Sequence, residues 1–355
     1  MNALVTGGGG FLGSRIVEML LERGDHVRIL GRHHYESLER LGADSLIGDI
    51  RDTASVVAAA TGADIVFHVA ALADVWGPRR EFYEINVKGS ANVIRACLDN
   101  KITRLIHTSS PSVAIGEADI EGGDETLPYP QAYLAHYPAS KAMAEKMILE
   151  ANGWEMSVEG GQSNPSGCEV RQLRTCALRP HLIWGPGDRH LIPRLVQTAR
   201  AGKLCRVGNG TNKVDITYID NAAHAHLQAA DELAGKGRNA GKAYFIGDDE
   251  PVVLWQWINE LLERVDIPPV RRSMPYAAGR CLASMLELMH HLLPCLGEPR
   301  LTRFVATQLA KSHYFSHARA QADFGYQALV DNETGMARLV EWLKSANPAE
   351  SSKPT

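Results

Sequence analysis

The chain has 355 residues, with 37 Lys plus Arg against 41 Asp plus Glu, a formal net charge of −4, and 45% hydrophobic residues. That length supplies one large α/β domain with a smaller appendage, and a slightly acidic chain without a basic block argues against nucleic acid as a partner. Six cysteines (Cys97, Cys168, Cys176, Cys205, Cys281 and Cys295) show no C-x-x-C pairing, which fits a reducing cytoplasm, and Met1-Asn2 leads straight into the first strand, so no signal peptide is expected.

The first element is a strand over Ala3–Thr6. It runs into Thr6-Gly7-Gly8-Gly9-Gly10-Phe11-Leu12-Gly13, and a helical pattern carried by Ile16, Met19 and Leu20 follows. Strand, glycine turn and helix in that order are the context of a dinucleotide fingerprint. The glycines let the backbone turn sharply and approach a pyrophosphate, which the free N–H groups at the helix start can bind. The run satisfies two registers, Gly8-Gly10-Gly13 and Gly7-Gly10-Gly13.

A second strand, His26–Leu30, ends at Gly31-Arg32-His33-His34. An NAD binder places an acid here to take the ribose hydroxyls, whereas Arg32 suits a 2′-phosphate. The expected cofactor is therefore NADP(H) in preference to NAD(H); the plainer reading is a solvated loop arginine. After the short strand Ser45–Ile47, Asp49 in Gly48-Asp49-Ile50-Arg51-Asp52 could accept from an adenine amino group.

Further strands are expected over Ile65–Val69, Arg104–His107 and Thr175–Leu178, with helices over Glu81–Cys97 and Ser140–Glu150 between them. This alternation predicts a doubly wound parallel sheet. The strand Leu105-Ile106-His107 opens into Thr108-Ser109-Ser110-Pro111-Ser112-Val113 at the sheet's carboxyl edge, where ligands bind. A serine hydroxyl there could donate to a substrate carbonyl as charge develops on it. In Tyr137-Pro138-Ala139-Ser140-Lys141, a phenol lies four residues before an ammonium on a helix start, so both share one face. The cation should pull the phenol's pKa down and make it a proton donor or acceptor.

Residues 152–172, rich in Gly and Ser, read as a mobile polar surface loop. The sheet should resume around Asp215–Ile219 and Ala243–Ile246. These boundaries divide the chain into a Rossmann unit (1–180 and 213–249), a smaller C-terminal substrate domain (181–212 and 250–345) and a disordered tail (346–355). The apolar stretch 278–297 carries Arg280, Glu287 and Pro294 and suits no membrane span. Its Leu282, Met285, Leu286, Met289, Leu292 and Leu293 share a helical face, read as core packing, as a lid over an apolar substrate, or as a contact with membrane or a partner enzyme. The pairs His33-His34 and His290-His291 have no metal-ligand spacing, so no metal is expected.

Taken together, Thr6-Gly-x-x-Gly10-x-x-Gly13, Thr108-Ser109-Ser110, Tyr137-x-x-x-Lys141 and Arg179-Pro180…Trp184-Gly185-Pro186-Gly187 resemble the extended short-chain dehydrogenase/reductases. Asn86-Val87-Lys88-Gly89 and Tyr218-Ile219-Asp220-Asn221-Ala222 match as well. Within that group the chain resembles the 3β-hydroxysteroid dehydrogenase/isomerase family. It is most similar there to bacterial 2-alkyl-3-oxoalkanoate reductases of olefin biosynthesis, through Leu178–Asp188, Asn212–Asn221, Gly297–Phe304 and Asp323-Phe324-Gly325-Tyr326.

The resemblance implies an NAD(P)-dependent oxidoreductase interconverting a ketone and a secondary alcohol on a hydrophobic small molecule. Ser110 would orient the substrate oxygen, Tyr137 would supply or accept the proton, and Lys141 would tune the phenol and hold the nicotinamide ribose. Gly7, Gly10, Phe11, Leu12, Gly13, Arg32, Asp49, Ile50, Ala70, Tyr137, Lys141 and Pro180 would line the cofactor. Asn86 is read chiefly as structural and His68 as a packed histidine near the cofactor.

The leading expectation is NADPH-dependent reduction of a 2-alkyl-3-oxoalkanoate-type β-keto acid, by a cytoplasmic homodimer, with membrane association left open. The alternatives are a 3β-hydroxysteroid or sterol dehydrogenase, a nucleotide-sugar epimerase or dehydratase kept open by Arg194 and Arg206, and a non-catalytic NADP(H) sensor.

Overall fold

The structure, a computed structural model, describes residues 1–159 and 168–346. Seven parallel strands build its central sheet: β1 (Asn2–Thr6), β2 (His26–Gly31), β3 (Asp44–Ile47), β4 (Ile65–His68), β5 (Arg104–Thr108), β6 (Arg174–Pro180) and β7 (Lys242–Ile246). Their spatial order is β7-β6-β5-β4-β1-β2-β3. Leu4, Val5, Ile29, Val66, Phe67, Leu105 and Ile106 are inaccessible to solvent, as expected of parallel strands covered on both faces.

One face packs against α1 (Phe11–Glu22) and, in the same apolar cluster, the helix Ile219–Ala234. The other packs against helices Thr53–Ala59, Gly89–Asp99 and His136–Glu150. On α1 the buried Leu12, Ile16, Val17 and Leu20 lie on one side, each contributing about 1.5–3 kcal/mol by leaving water. The chain order reverses between β1 and β4, so the crevice at their carboxyl ends is the natural ligand site of such a sheet.

The helix expected over Glu81–Cys97 begins at Arg79 and passes through a π-helical turn, Tyr83–Lys88, before continuing as Gly89–Asp99. Asn86 lies in that turn and is buried. It accepts from Leu72 N–H and donates to Leu72 O and Ser140 Oγ, tying the segment after β4 to the helix that carries Tyr137.

Three expectations are corrected. Ala243–Ile246 does join the central sheet as its edge strand, but Asp215–Ile219 does not. Thr217–Tyr218 pairs instead with Ile183–Trp184, because Thr217 Oγ1 bonds the carbonyls of His181 and Ile246 and Asp248 takes the Tyr218 N–H. The preceding Lys213–Val214 belongs to a separate four-stranded sheet with Val252–Val253, His313–Phe315 and Ile120–Gly123.

The stretch 152–172, expected as a loop, contains an antiparallel pair, Glu155–Glu159 with Cys168–Gln172. Met156 enters the core, and Gly153 and Trp154 exchange backbone hydrogen bonds with Leu173. Residues 160–167 of that stretch, and 347–355 of the expected tail, lie outside the described residues. Ala346 ends the last helix, Asn332–Ala346.

Core packing does not explain the apolar face within 278–297. The helix Tyr276–Leu292 buries only Gly279 and Ala283, while Met285, Leu288 and Leu292 are 65%, 62% and 72% exposed. Among the described residues no helix is long and apolar enough to cross a membrane. Cys97, Cys176, Cys205, Cys281 and Cys295 are all free thiols.

Candidate active site

The site starts at the glycine turn. Gly7 has φ +73°, a left-handed conformation that glycine adopts without a Cβ penalty. A Cβ there would lie 2.7 Å from the Ala70 backbone, where β1 and β4 part. Gly10 N–H bonds Gly7 O, and the first intrahelical bond of α1 runs from Ser14 to Gly10. The N–H groups of Phe11, Leu12 and Gly13 thus precede that bond, and no side chain caps the helix. A tight cradle below an uncapped helix N-terminus fits a pyrophosphate. The geometry favours the Gly7-Gly10-Gly13 register.

At the adenosine end, Arg32 is exposed just past β2. At Asp49 the exposed Arg51 guanidinium bonds the carboxylate through two nitrogens, and the Arg51 N–H adds a third bond. That bonding holds the Asp49 carboxyl below its usual range, with Arg32 contributing at longer reach. Arg32 and Arg51 therefore flank one carboxylate. Ile50 beside it is buried in the core against Gly89.

Tyr35 was missed by the sequence reading. Its ring lies so close over the glycine turn that a Cβ on Gly9 would meet it at 1.8 Å, and one on Gly31 would meet its hydroxyl at 2.4 Å. An aromatic four residues past a strand carries no local signal of such a position.

The helix His136–Glu150 brings Tyr137, Lys141 and Glu145 onto one face. Ser110 ends the β5 loop, where its hydroxyl contacts Ser112 Oγ at 2.9 Å and hydrogen-bonds the Tyr137 phenol. Its neighbour Ser109 turns inward toward Glu145. The fold therefore brings Ser110, not Ser109, together with Tyr137. Burial pushes the phenol's pKa up, opposed by the Ser110 hydrogen bond. The expected lowering by Lys141 is not seen, because that ammonium is drawn elsewhere.

Lys141 is only 2% exposed. Its Nζ donates to the Thr108 carbonyl at 2.6 Å and lies 3.3 Å from His107 Nε2. Burial lowers its pKa to about 7, with Glu145 opposing the shift. Burial also pushes the Glu145 carboxyl up. The Arg179 guanidinium outweighs that effect through bonds of 2.6 and 2.8 Å, and Tyr129 adds a third at 2.6 Å. His68 behaves as a packed histidine, bonded to Thr6 and Ser90 at 2.8 and 2.9 Å and lowered to about 3 by burial.

A stability prediction follows. Lysine is charged in the unfolded chain up to its usual pKa, but charging it in this interior is costly below about pH 7. The penalty is complete below pH 7 and fades as the pH rises towards the unfolded value. Lys141→Met should therefore stabilise the fold at pH 6 by on the order of a few kcal/mol, seen as a higher melting temperature, and the gain should shrink by pH 10. Thermal denaturation at both pH values checks this. A variant less stable than wild type at pH 6 would mean that the bond to Thr108 outweighs desolvation.

Pro180 ends β6 beside Ile246, and Leu182 just beyond it has φ +38°, uncommon for a non-glycine residue. The following turn lies over α1, where Gly187 faces the Phe11 ring, and Asp188 caps the helix Leu191–Arg200 through three backbone N–H groups. Directly after Tyr137, a cavity of about 110 Å³ is lined by Ile115, Tyr133, Leu134, Pro138, Phe304 and Gln308. Its mainly apolar wall comes partly from the N-terminal unit and partly from the helix Arg303–Ala310. Arg194 pairs with Glu298 at the surface.

The 3-beta hydroxysteroid dehydrogenase/isomerase family model matches residues 4–276. A 2-alkyl-3-oxoalkanoate reductase of Shewanella oneidensis is 46% identical over 95% of this chain and 85% of its own. A mouse sterol-4-alpha-carboxylate 3-dehydrogenase is 33% identical over 95% of this chain and 89% of its own. Among solved structures, the dTDP-glucose 4,6-dehydratase DesIV of Streptomyces venezuelae, a double mutant with NAD bound, superposes with a TM-score of 0.72 over 98% of both chains. At 23% identity, that likeness concerns the fold alone.

Proposed function

The chain belongs to the 3-beta hydroxysteroid dehydrogenase/isomerase family of oxidoreductases, and on that premise we propose that it reduces the ketone of a 2-alkyl-3-oxoalkanoate-type β-keto acid with NADPH. The observation that carries this reading is the meeting of the Ser110 hydroxyl and Tyr137 phenol, with Lys141 one turn further along the same helix and an uncapped glycine cradle at the start of α1. The Shewanella relative, named a 2-alkyl-3-oxoalkanoate reductase, supports the substrate class.

The residues of the cradle and of the Arg32–Arg51 corner would hold a nicotinamide dinucleotide, and when bound it supplies the hydride. Ser110 orients the substrate oxygen by donating to it, and Tyr137 delivers the proton that this oxygen gains. Lys141, held by the Thr108 carbonyl, would bind the ribose. The apolar cavity after Pro138 receives substrate carbon and excludes water there.

The mouse relative, named a sterol dehydrogenase, supports the second reading, oxidation of a 3β-hydroxysterol with NAD⁺. Initial rates decide between the two: NADPH and NADH oxidation with a 2-alkyl-3-oxoalkanoate, against NAD(P)⁺ reduction with a 3β-hydroxysterol. Turnover confined to the sterol would overturn the reductase reading.

Arg32→Ala should lower kcat/KM for NADPH at least ~10-fold while changing NADH little, since one charge-assisted phosphate contact contributes about 1.5–3 kcal/mol. Equal losses with both cofactors would remove Arg32 from 2′-phosphate recognition.

A further inference from the structure

Beneath the catalytic helix lies an imidazole with no role so far. His107 is on β5, immediately before the strand turns into the Thr108–Ser110 loop, and is inaccessible to solvent. Its Nε2 lies 3.3 Å from Lys141 Nζ, and its ring centroid lies 5.1 Å from that of His68, its register partner on β4.

An ammonium offers three donors and no acceptor. One Lys141 N–H goes to the Thr108 carbonyl and a second faces His107 Nε2, which leaves the third for the open side of the site. Thr108 is itself anchored: His226 Nδ1 donates to Ala222 O, so its Nε2 accepts from Thr108 Oγ1 at 2.8 Å. Burial, with Lys141, His68 and His226 nearby, keeps His107 neutral far below its ordinary pKa. A neutral ring facing an ammonium must present the Nε2 lone pair and carry its hydrogen on Nδ1, which is buried without a hydrogen-bond partner among the described residues.

We propose that His107 is a positioning residue for Lys141: with the Thr108 carbonyl it pins two of the three ammonium hydrogens, so that the third is left for the cofactor ribose. The proposal rests on the reading of Lys141 as the cofactor lysine.

The charged and titratable groups around Lys141 are Tyr137 and Glu145 on its own helix, His107 on β5, His68 on β4 and His226 on the helix Ile219–Ala234. Arg179 on β6 and Tyr129 act through Glu145. Among the described residues His107 is the neutral group that meets the ammonium through a ring nitrogen, and its acceptor opposes the desolvation that lowers the lysine's pKa.

The test compares His107→Leu, which removes the acceptor, with His107→Gln, which restores one, in the full chain. The pH dependence of NADPH binding is followed by fluorescence titration, with folding checked by thermal denaturation. In the Leu variant the pH above which affinity falls should move down by about one unit, and the Gln variant should recover most of that shift. A folded Leu variant whose profile overlays the wild type overturns the proposal.

Nitrogen NMR of the selectively labelled unmodified protein decides independently of cofactor and of variant folding. His107 should show a hydrogen on Nδ1 and none on Nε2 at pH 6, where Lys141 is charged, and the opposite tautomer, or a doubly protonated ring, overturns the proposal. Failure to bind NADPH with the Nδ1–H tautomer present would refute the cofactor reading while leaving the lysine contact intact.

Discussion

Tyr137→Phe should reduce turnover by about three orders of magnitude, the middle of the range for general acid catalysis, while leaving NADPH affinity within about twofold. The substitution deletes one oxygen from a ring held against Ser110, and the ring volume, the glycine cradle and the Lys141 contacts all remain. What disappears is the group that supplies a proton to the substrate oxygen. Ser110 can still donate a hydrogen bond there, but a serine hydroxyl is too weak an acid to finish the transfer.

Because burial raises the phenol's pKa in this structure, Tyr137 starts as a protonated group near neutral pH, which suits reduction. Single-turnover rates and cofactor titration on the same preparation separate chemistry from binding. Unchanged turnover in the Phe variant would place the proton transfer on another residue.

The second large effect is expected at Gly13. A Cβ there would lie 2.1 Å from Gly7 O, 2.8 Å from Gly7 C and 2.9 Å from Gly8 Cα. All three atoms are backbone, so no rotamer change relieves the clash, and the turn and the start of α1 must separate. Gly13→Ala should therefore lower cofactor affinity at least ~100-fold and cost on the order of 1–3 kcal/mol of stability, the usual range for overpacking. NADPH titration with thermal denaturation checks both. Undiminished affinity would mean that the cofactor does not rest on this turn.

Legibility followed the range of the interactions involved. The glycine turn was readable because its backbone demands are met within eight residues, and the strands because both faces of a parallel sheet are buried. Tyr137 and Lys141 were readable as partners on one helix face because four residues are about one turn. The electrostatics between them were misjudged: Lys141 bonds Thr108 and His107, 33 and 34 residues earlier in the chain, and no local pattern announces that.

Asp49 shows the same limit at shorter range, since its clamp by Arg51 depends on the geometry of one turn. So does the expected strand around 215–219, whose apolar run found a partner in Ile183–Trp184 and not in the central sheet.

By itself the sequence determined the doubly wound parallel sheet, the place of the cofactor turn and the placing of Tyr137 and Lys141 on one helix face, because each follows from periodicity or spacing along one element; Ser110 was singled out among its neighbours by resemblance alone. Tertiary structure alone decided which serine faces the phenol, how far burial moves the phenol and the ammonium, and that the apolar face of the helix Tyr276–Leu292 stays in contact with solvent. Those outcomes depend on desolvation and on contacts between elements far apart in the chain, which only the assembled fold defines.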